Sequence, residues 1–204
     1  MLVHPWDAAG PDEWRQWLAD QDFGQLVAPG RARDLPVVVP THFLFDGAST
    51  VWLHLARPNP VWPLLEEHPR ALLTVIGDYV YVPSDWNAGP GTDPRRGVPT
   101  SYYASVQLSC DVRVIDDRDE KAQLLGRQLA HFQPGVDRDP VTADDRLLPG
   151  IRGVELTVTS VTAKFKYGGN KAADHRGILA GRLADRSGPM DLAARAHLLR
   201  RIDI

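Results

Sequence analysis

The stretch LPVVVPTHFLFDGASTVWLHLA, residues 35–56, decides the fold class. From Leu35 to Phe45 every second residue falls on one side: Leu35, Val37, Val39, Thr41, Phe43 and Phe45. Alternation resumes from Thr50 to Ala56 through Val51, Leu53 and Leu55. A period of two is the mark of a half-buried strand. Asp46-Gly47 between the runs is a turn signal, so the stretch predicts a hairpin with one buried face.

Working outward, Phe23 to Ala28 reads as a short strand. It is preceded by a helix over Pro11 to Asp20, with Trp14, Trp17 and Leu18 on one face and Pro11 suited to the first turn. On the other side, Pro60 to His68 predicts a short helix and Ala71 to Gly77 a buried strand. Tyr79 to Val82 is expected to pair next to that strand across Gly77-Asp78. Pro83 to Val98 is a long polar loop, of the kind that is usually functional or disordered. Tyr102 to Ile115 reads as a long strand. Asp116-Asp117 then offers an N-cap for a helix from Arg118 to Phe132, with Leu124, Leu125, Gln128, Leu129 and Phe132 inward. Gln133 to Pro149 is irregular. Ile151 to Tyr167 is a last long strand rich in β-branched residues. Helices over Ala172 to Leu183 and Pro189 to Ile202 follow. Strands do not alternate regularly with crossover helices, which argues against a parallel doubly wound sheet. The expectation is an α+β fold with an antiparallel β-barrel core, since about six to seven strands suffice to close or nearly close a small barrel.

Bulk properties set limits. The 204 residues read as one domain, 1–204, and 43% of them are hydrophobic, enough for a core without disulfides. The single cysteine, Cys110, permits no internal disulfide and no multi-cysteine metal site; its parity predicts a buried thiol. The start of the chain lacks a basic, apolar leader, no apolar run approaches the ~20 residues of a membrane span, and a cytoplasmic location is expected. The 23 basic and 26 acidic residues are interspersed, net −3, which gives no electrostatic support to direct DNA binding. Dinucleotide, P-loop and nucleophile-elbow motifs are missing. His42 and His54 can face each other on the hairpin, but a metal there would need a third ligand that the sequence does not name.

Four polar segments interrupt the strands. In His54-Leu55-Ala56-Arg57-Pro58-Asn59-Pro60-Val61-Trp62 two prolines stiffen the backbone around Asn59, so Arg57 and Asn59 at a strand end can hold a phosphate or a carbonyl; a plain turn into a helix reads equally well. Tyr79-Val80-Tyr81-Val82-Pro83-Ser84-Asp85-Trp86-Asn87 sets aromatic faces beside polar groups, as a planar ligand needs; a barrel edge packing its own aromatics reads as well. Val98-Pro99-Thr100-Ser101-Tyr102-Tyr103 brings hydroxyls to the start of a strand. In Lys164-Phe165-Lys166-Tyr167-Gly168-Gly169-Asn170-Lys171, Lys164 and Lys166 share a face. Like charges so placed repel unless an anion or acidic partner lies between them, or unless they only guard a sheet edge.

In these segments, and in Val112 to Asp117, Gly150 to Glu155 and Arg176-Gly177-Ile178-Leu179-Ala180-Gly181, the chain resembles the PaiB family of FMN-binding negative transcriptional regulators. The likeness runs from about residue 23 to residue 183. It implies a split barrel of the pyridoxamine-phosphate-oxidase-like kind and a homodimer with FMN at the subunit interface. It also implies a cofactor site formed by Arg57, Asn59, Thr100, Tyr102, Lys164, Lys166, Asn170 and Arg176. Three departures fall in the expected pocket: Ser101-Tyr102 where the family has Trp-Asn, Gly168-Gly169 where it has Ser-Gln, and Pro83-Ser84-Asp85-Trp86-Asn87 where it has Pro-Ser-Trp-Tyr. The functions in view are a flavin-binding protein, with flavin-dependent oxidoreductase activity as one form of it; a regulator, with Arg195, His197, Arg200 and Arg201 of the last helix as its one candidate contact surface; and a diverged, cofactor-free dimer. No general acid or base can be nominated.

Overall fold

A computed structural model describes residues 1–31 and 34–200. The expected helix to Ile202, with Arg201, therefore ends partly outside the described residues. The sequence reads as one domain, and the contacts of the chain divide it into two compact units. One comprises Asp12–Val75 and Gln107–Val161; the other comprises Met1–Pro11, Ile76–Val106 and Thr162–Ile204.

The first unit is organised by a seven-stranded antiparallel sheet. Its strands are β1 (Phe23–Ala28), β2 (Val37–His42), β3 (Leu44–Phe45), β4 (Thr50–Ala56), β5 (Arg70–Val82), β6 (Thr100–Ile115) and β7 (Ile151–Lys166), in the order β2-β1-β5-β6-β7-β4-β3. The expected hairpin forms only at its tip: Leu44 and Phe45 of β3 pair with Trp52 and Val51 of β4, whereas β2 pairs with β1 instead. Asp46 Oδ1 accepts from the backbone N–H groups of Ala48, Ser49 and Thr50, and Gly47 takes a positive φ of 82°. Val51, Leu53 and Leu55 are buried as the alternation requires. The run from Leu35 is shorter than expected: Leu35 is 79% exposed, and the strand is interrupted at Phe43, whose side chain is buried. β4 pairs antiparallel with β7, Leu53 opposite Val154. At Gly153 a side chain would meet Leu124 and Ile115 at 2.9–3.1 Å, so only glycine lets this strand lie so close to its cover.

Three helices belong mainly to this unit. α1 (Pro11–Ala19) buries Trp14, Trp17 and Leu18, and α2 (Trp62–Glu67) buries Trp62, Leu64 and Leu65. α4 (Arg118–Phe132) starts where the sequence predicts, with Asp117 as N-cap accepting from the Glu120 N–H at 3.0 Å. Its buried face differs from the expected one. Lys121, Ala122, Leu124 and Gln128 are buried, whereas Leu125, Leu129 and Phe132 are only half-buried.

The second unit holds the remainder of β5, β6 and β7 together with α3 (Ser84–Asn87), α5 (Ala173–Arg186) and α6 (Asp191–Arg200). α3 lies in what reads as a loop. α5 and α6 pack on each other, and Asp191 ties their junction. It accepts from Arg186 at 2.6 and 2.8 Å and from the Gly188 N–H at 2.7 Å.

β5 corrects the expected turn at Gly77-Asp78. It is one continuous strand. Ala71, Leu73 and Val75 are buried on odd positions, Val80 and Val82 on even ones. An extra residue is thus accommodated at 77–78, as in a bulge, and every later side chain changes face. Asp78 carries the local distortion with φ of 52°. It is held there by Tyr167, whose hydroxyl donates to the Asp78 carbonyl at 3.1 Å, and by His197, whose Nε2 lies 2.8 Å from Oδ2.

Candidate functional site

The second unit contains a polar cavity of about 340 Å³. The start of β6 supplies Thr100 and Tyr102, and the end of β7 supplies Lys164 and Lys166 from one face. The turn after β7 supplies Gly168, Asn170 and Lys171; Asn87 of α3 and the first residues of the chain complete the wall. Six of the residues expected to hold a cofactor are accounted for here, five as lining and Arg176 as a buried neighbour whose charge is felt at Tyr102.

The lysines are differently engaged. Lys166 Nζ donates to Thr100 Oγ1 at 2.9 Å. Lys164, nearly buried, donates to the Leu2 carbonyl at 2.9 Å and lies 3.9 Å from the Asp7 carboxylate. Burial holds Lys171 below the ordinary lysine value. Burial also pushes the Tyr102 hydroxyl well above its ordinary value, Asp7 adding to the effect and Arg176 opposing it, so the phenol stays protonated.

The Gly168-Gly169 pair is used as its composition suggests. Gly168 takes φ of 66°, and a Cβ there would come 2.7 Å from the Tyr102 hydroxyl; at Gly169 it would come 2.2 Å from the Trp6 carbonyl. Only glycines allow this approach. Of five buried polar side-chain atoms without a hydrogen-bond partner among the described residues, three belong to the cavity wall or its neighbour: Tyr102 Oη, Asn87 Oδ1 and Arg176 Nε; the other two are Arg152 Nε and Arg195 Nε. Buried polar groups are as a rule bonded. A donor set of this kind, with two hydroxyls, an amide and several cations, fits a ligand that carries an anionic group together with further donors and acceptors.

Arg57 and Asn59 do not line this cavity; both belong to the other unit. Arg57 donates from Nε to the Pro149 carbonyl at 2.7 Å and pairs with Asp116 through both terminal nitrogens. The side-chain bond to Asp116 raises the Arg57 value and lowers that of Asp116. Asn59 accepts from the Val61 N–H at 3.0 Å and so turns the chain into α2. Sequence reasoning placed the segment that ends at Asn87 in the expected pocket but missed Asp7, His4, Trp6 and Lys171 as lining residues. Asn87 lies in the long segment singled out for its length; the first residues carry no local signal of their place. Cys110 is fully buried, and burial pushes its thiol up to about 12.

The fold is shared with solved proteins of low sequence identity. A flavocytochrome from Azotobacter vinelandii is 19% identical with a TM-score of 0.61, over 80% of this chain and 71% of that one. The FAD and heme binding protein from Mycobacterium smegmatis is 18% identical with a TM-score of 0.60, over 79% and 74%. A Clostridium acetobutylicum protein of the pyridoxinephosphate oxidase family, related to general stress protein 26, is 13% identical with a TM-score of 0.50, over 76% and 88%. At such identities the likeness is one of fold. The family follows from the sequence: residues 2–160 match the family described as "Putative FMN-binding domain", and the chain belongs to it. No curated protein matches the chain. Among the described residues no helix is long and apolar enough to cross a membrane.

Proposed function

We propose that this chain is a cytoplasmic FMN-binding protein of the PaiB type that works as a homodimer, with the cofactor in the lysine-walled cavity. The observation that carries this reading is the conjunction of Lys164, Lys166 and Lys171 with three buried, unpartnered polar atoms. A phosphate monoester carries about −1.5 to −2 charges near neutral pH, which the three lysines of this wall can answer. Lys166, Lys171 and Arg176 would answer the phosphate, and Thr100, Tyr102 and Asn170 would bond the remaining polar groups. Arg57 and Asn59, engaged within their own unit, have a structural role in this reading. FMN when bound supplies the redox chemistry, and the chain's part is to bind it, orient it and place positive charge beside it.

The test is the absorbance of purified protein soaked in FMN and desalted. A retained flavin band in the wild type, lost in Lys166→Ala, is expected. A colourless wild type after soaking overturns the reading. A sedimentation experiment that finds only monomer removes the dimer. The regulatory role implied by the resemblance is tested by a gel shift at low salt, where the net charge of −3 predicts no retarded DNA.

A further inference from the structure

The first unit contains a second cavity, of about 420 Å³ and of different character. The half-buried residues of α4, Leu125, Leu129 and Phe132, form one wall. His42 of β2 and His54 of β4 lie with ring centroids 4.9 Å apart, and Phe23, 60% exposed, is also part of the lining. His42 meets Phe132 edge to face at 5.2 Å. No lysine or arginine lines this space, and Asp22, exposed, is its single formally charged residue. Burial first, and His54 second, hold His42 below the ordinary histidine value against an opposing pull from Asp22. The cavity therefore offers imidazole and phenyl rings with aliphatic walls, and no lysine or arginine to receive an anion.

Its polar group is oriented. Gln128, buried, donates from Nε2 to the Trp52 carbonyl at 3.4 Å, which leaves its Oε1 to accept. His54 Nδ1 lies 2.6 Å from that oxygen and must carry the proton. With Nδ1 as donor, the neutral tautomer presents Nε2 as a lone pair, and no donor to it is found among the described residues. Among the described residues no group of three metal-ligating side chains gathers here, so a chelated ion is not what the pair is built for.

We infer that this cavity is a binding site for a neutral aromatic molecule bearing an O–H or N–H donor, of the phenol or indole class, with the donor on His54 Nε2 and the ring among Phe23, His42, Leu129 and Phe132. Flat apolar pockets with one placed polar group select ligands of this kind. The site is independent of the flavin reading.

The test is calorimetric titration of the wild-type chain with 2-naphthol, with 2-methoxynaphthalene, which caps the donor, and with 2-naphthoate, which is anionic. The expected result is binding of 2-naphthol about five- to tenfold tighter than of the capped compound, the usual worth of one hydrogen bond, and no binding of the anion. Leu129→Trp, which fills the cavity, is expected to abolish binding, and His54→Phe to make the two neutral compounds equal. If His54→Phe does not fold, Gln128→Met removes the tautomer lock and is expected to shrink the same preference. Equal affinity of the two neutral compounds for wild type, or binding untouched by Leu129→Trp, overturns the inference. So does a chain that ignores 2-naphthol but takes up ferric haem with a Soret shift lost in His54→Phe.

Discussion

Two basic clusters use similar residues to different ends. Around Asp116 in the first unit, Arg57, Lys121 and Arg152 share one carboxylate, and Arg152 has Glu66 as well, at 2.7 Å. Lys121 is buried there and also donates to the carbonyls of Leu148 and Ile151. In the second unit Lys166 rests on a hydroxyl, and Lys171 has no carboxylate partner among the described residues. A cation already neutralised by a neighbour stabilises its own surroundings; a cation that is not retains its attraction for a ligand. The contrast shows that a count of basic residues says little about binding until the carboxylates have been located.

The contrast can be broken or sharpened by substitution. The largest effect on stability is expected for Asp116→Ala, which leaves Lys121, with a side chain 3% exposed, without a counter-charge. The carboxylate is 44% exposed, so the loss in urea unfolding should be about 1 kcal/mol, with flavin uptake intact. Unchanged stability would mean that the carbonyls alone hold Lys121. Next is Lys166→Ala, expected to weaken FMN binding about 10- to 100-fold, the range for a charged hydrogen bond, while the urea midpoint stays in place. A fall in stability with unchanged FMN affinity would make Lys166 structural and erase the difference between the clusters.

A smaller effect is expected with pH. Arg57 first, then Lys121, depress the folded-state value of Asp116. Its contribution is therefore complete above the ordinary carboxylate value of about 3.9 and is lost as pH falls through the lowered one. Asp116 is 44% exposed, so solvent screening keeps this below about 1 kcal/mol. Urea midpoints of wild type and Asp116→Asn should draw together below pH 3.9 or so; parallel curves throughout would show no linkage. The smallest effect is expected for Arg57→Ala: a slight loss of thermal stability and full retention of FMN. Loss of flavin in that variant would return Arg57 to the cofactor site.

Local chemistry was legible in the sequence and long-range partnership was not. The helix that begins after Asp117, the Asp46-Gly47 turn and the shared face of Lys164 and Lys166 all depend on residues within a few positions. Arg57 could not be seen as engaged, because Asp116 lies 59 positions away. Nor could the first residues be seen as cavity wall, since Ala8 reaches β7 by an isolated bridge to Lys164. Gly77-Asp78 misled for a different reason. Two apolar runs of opposite parity separated by a turn-forming pair look the same whether the chain reverses or continues through a bulge.

That bulge has a consequence for how β5 tolerates change. A scan of polar substitutions along the strand should read as an alternating rhythm of harm and indifference that misses one beat at Gly77-Asp78, odd positions being sensitive before it and even positions after. Deletion of either residue would restore the rhythm on paper and turn one half of the strand inside out.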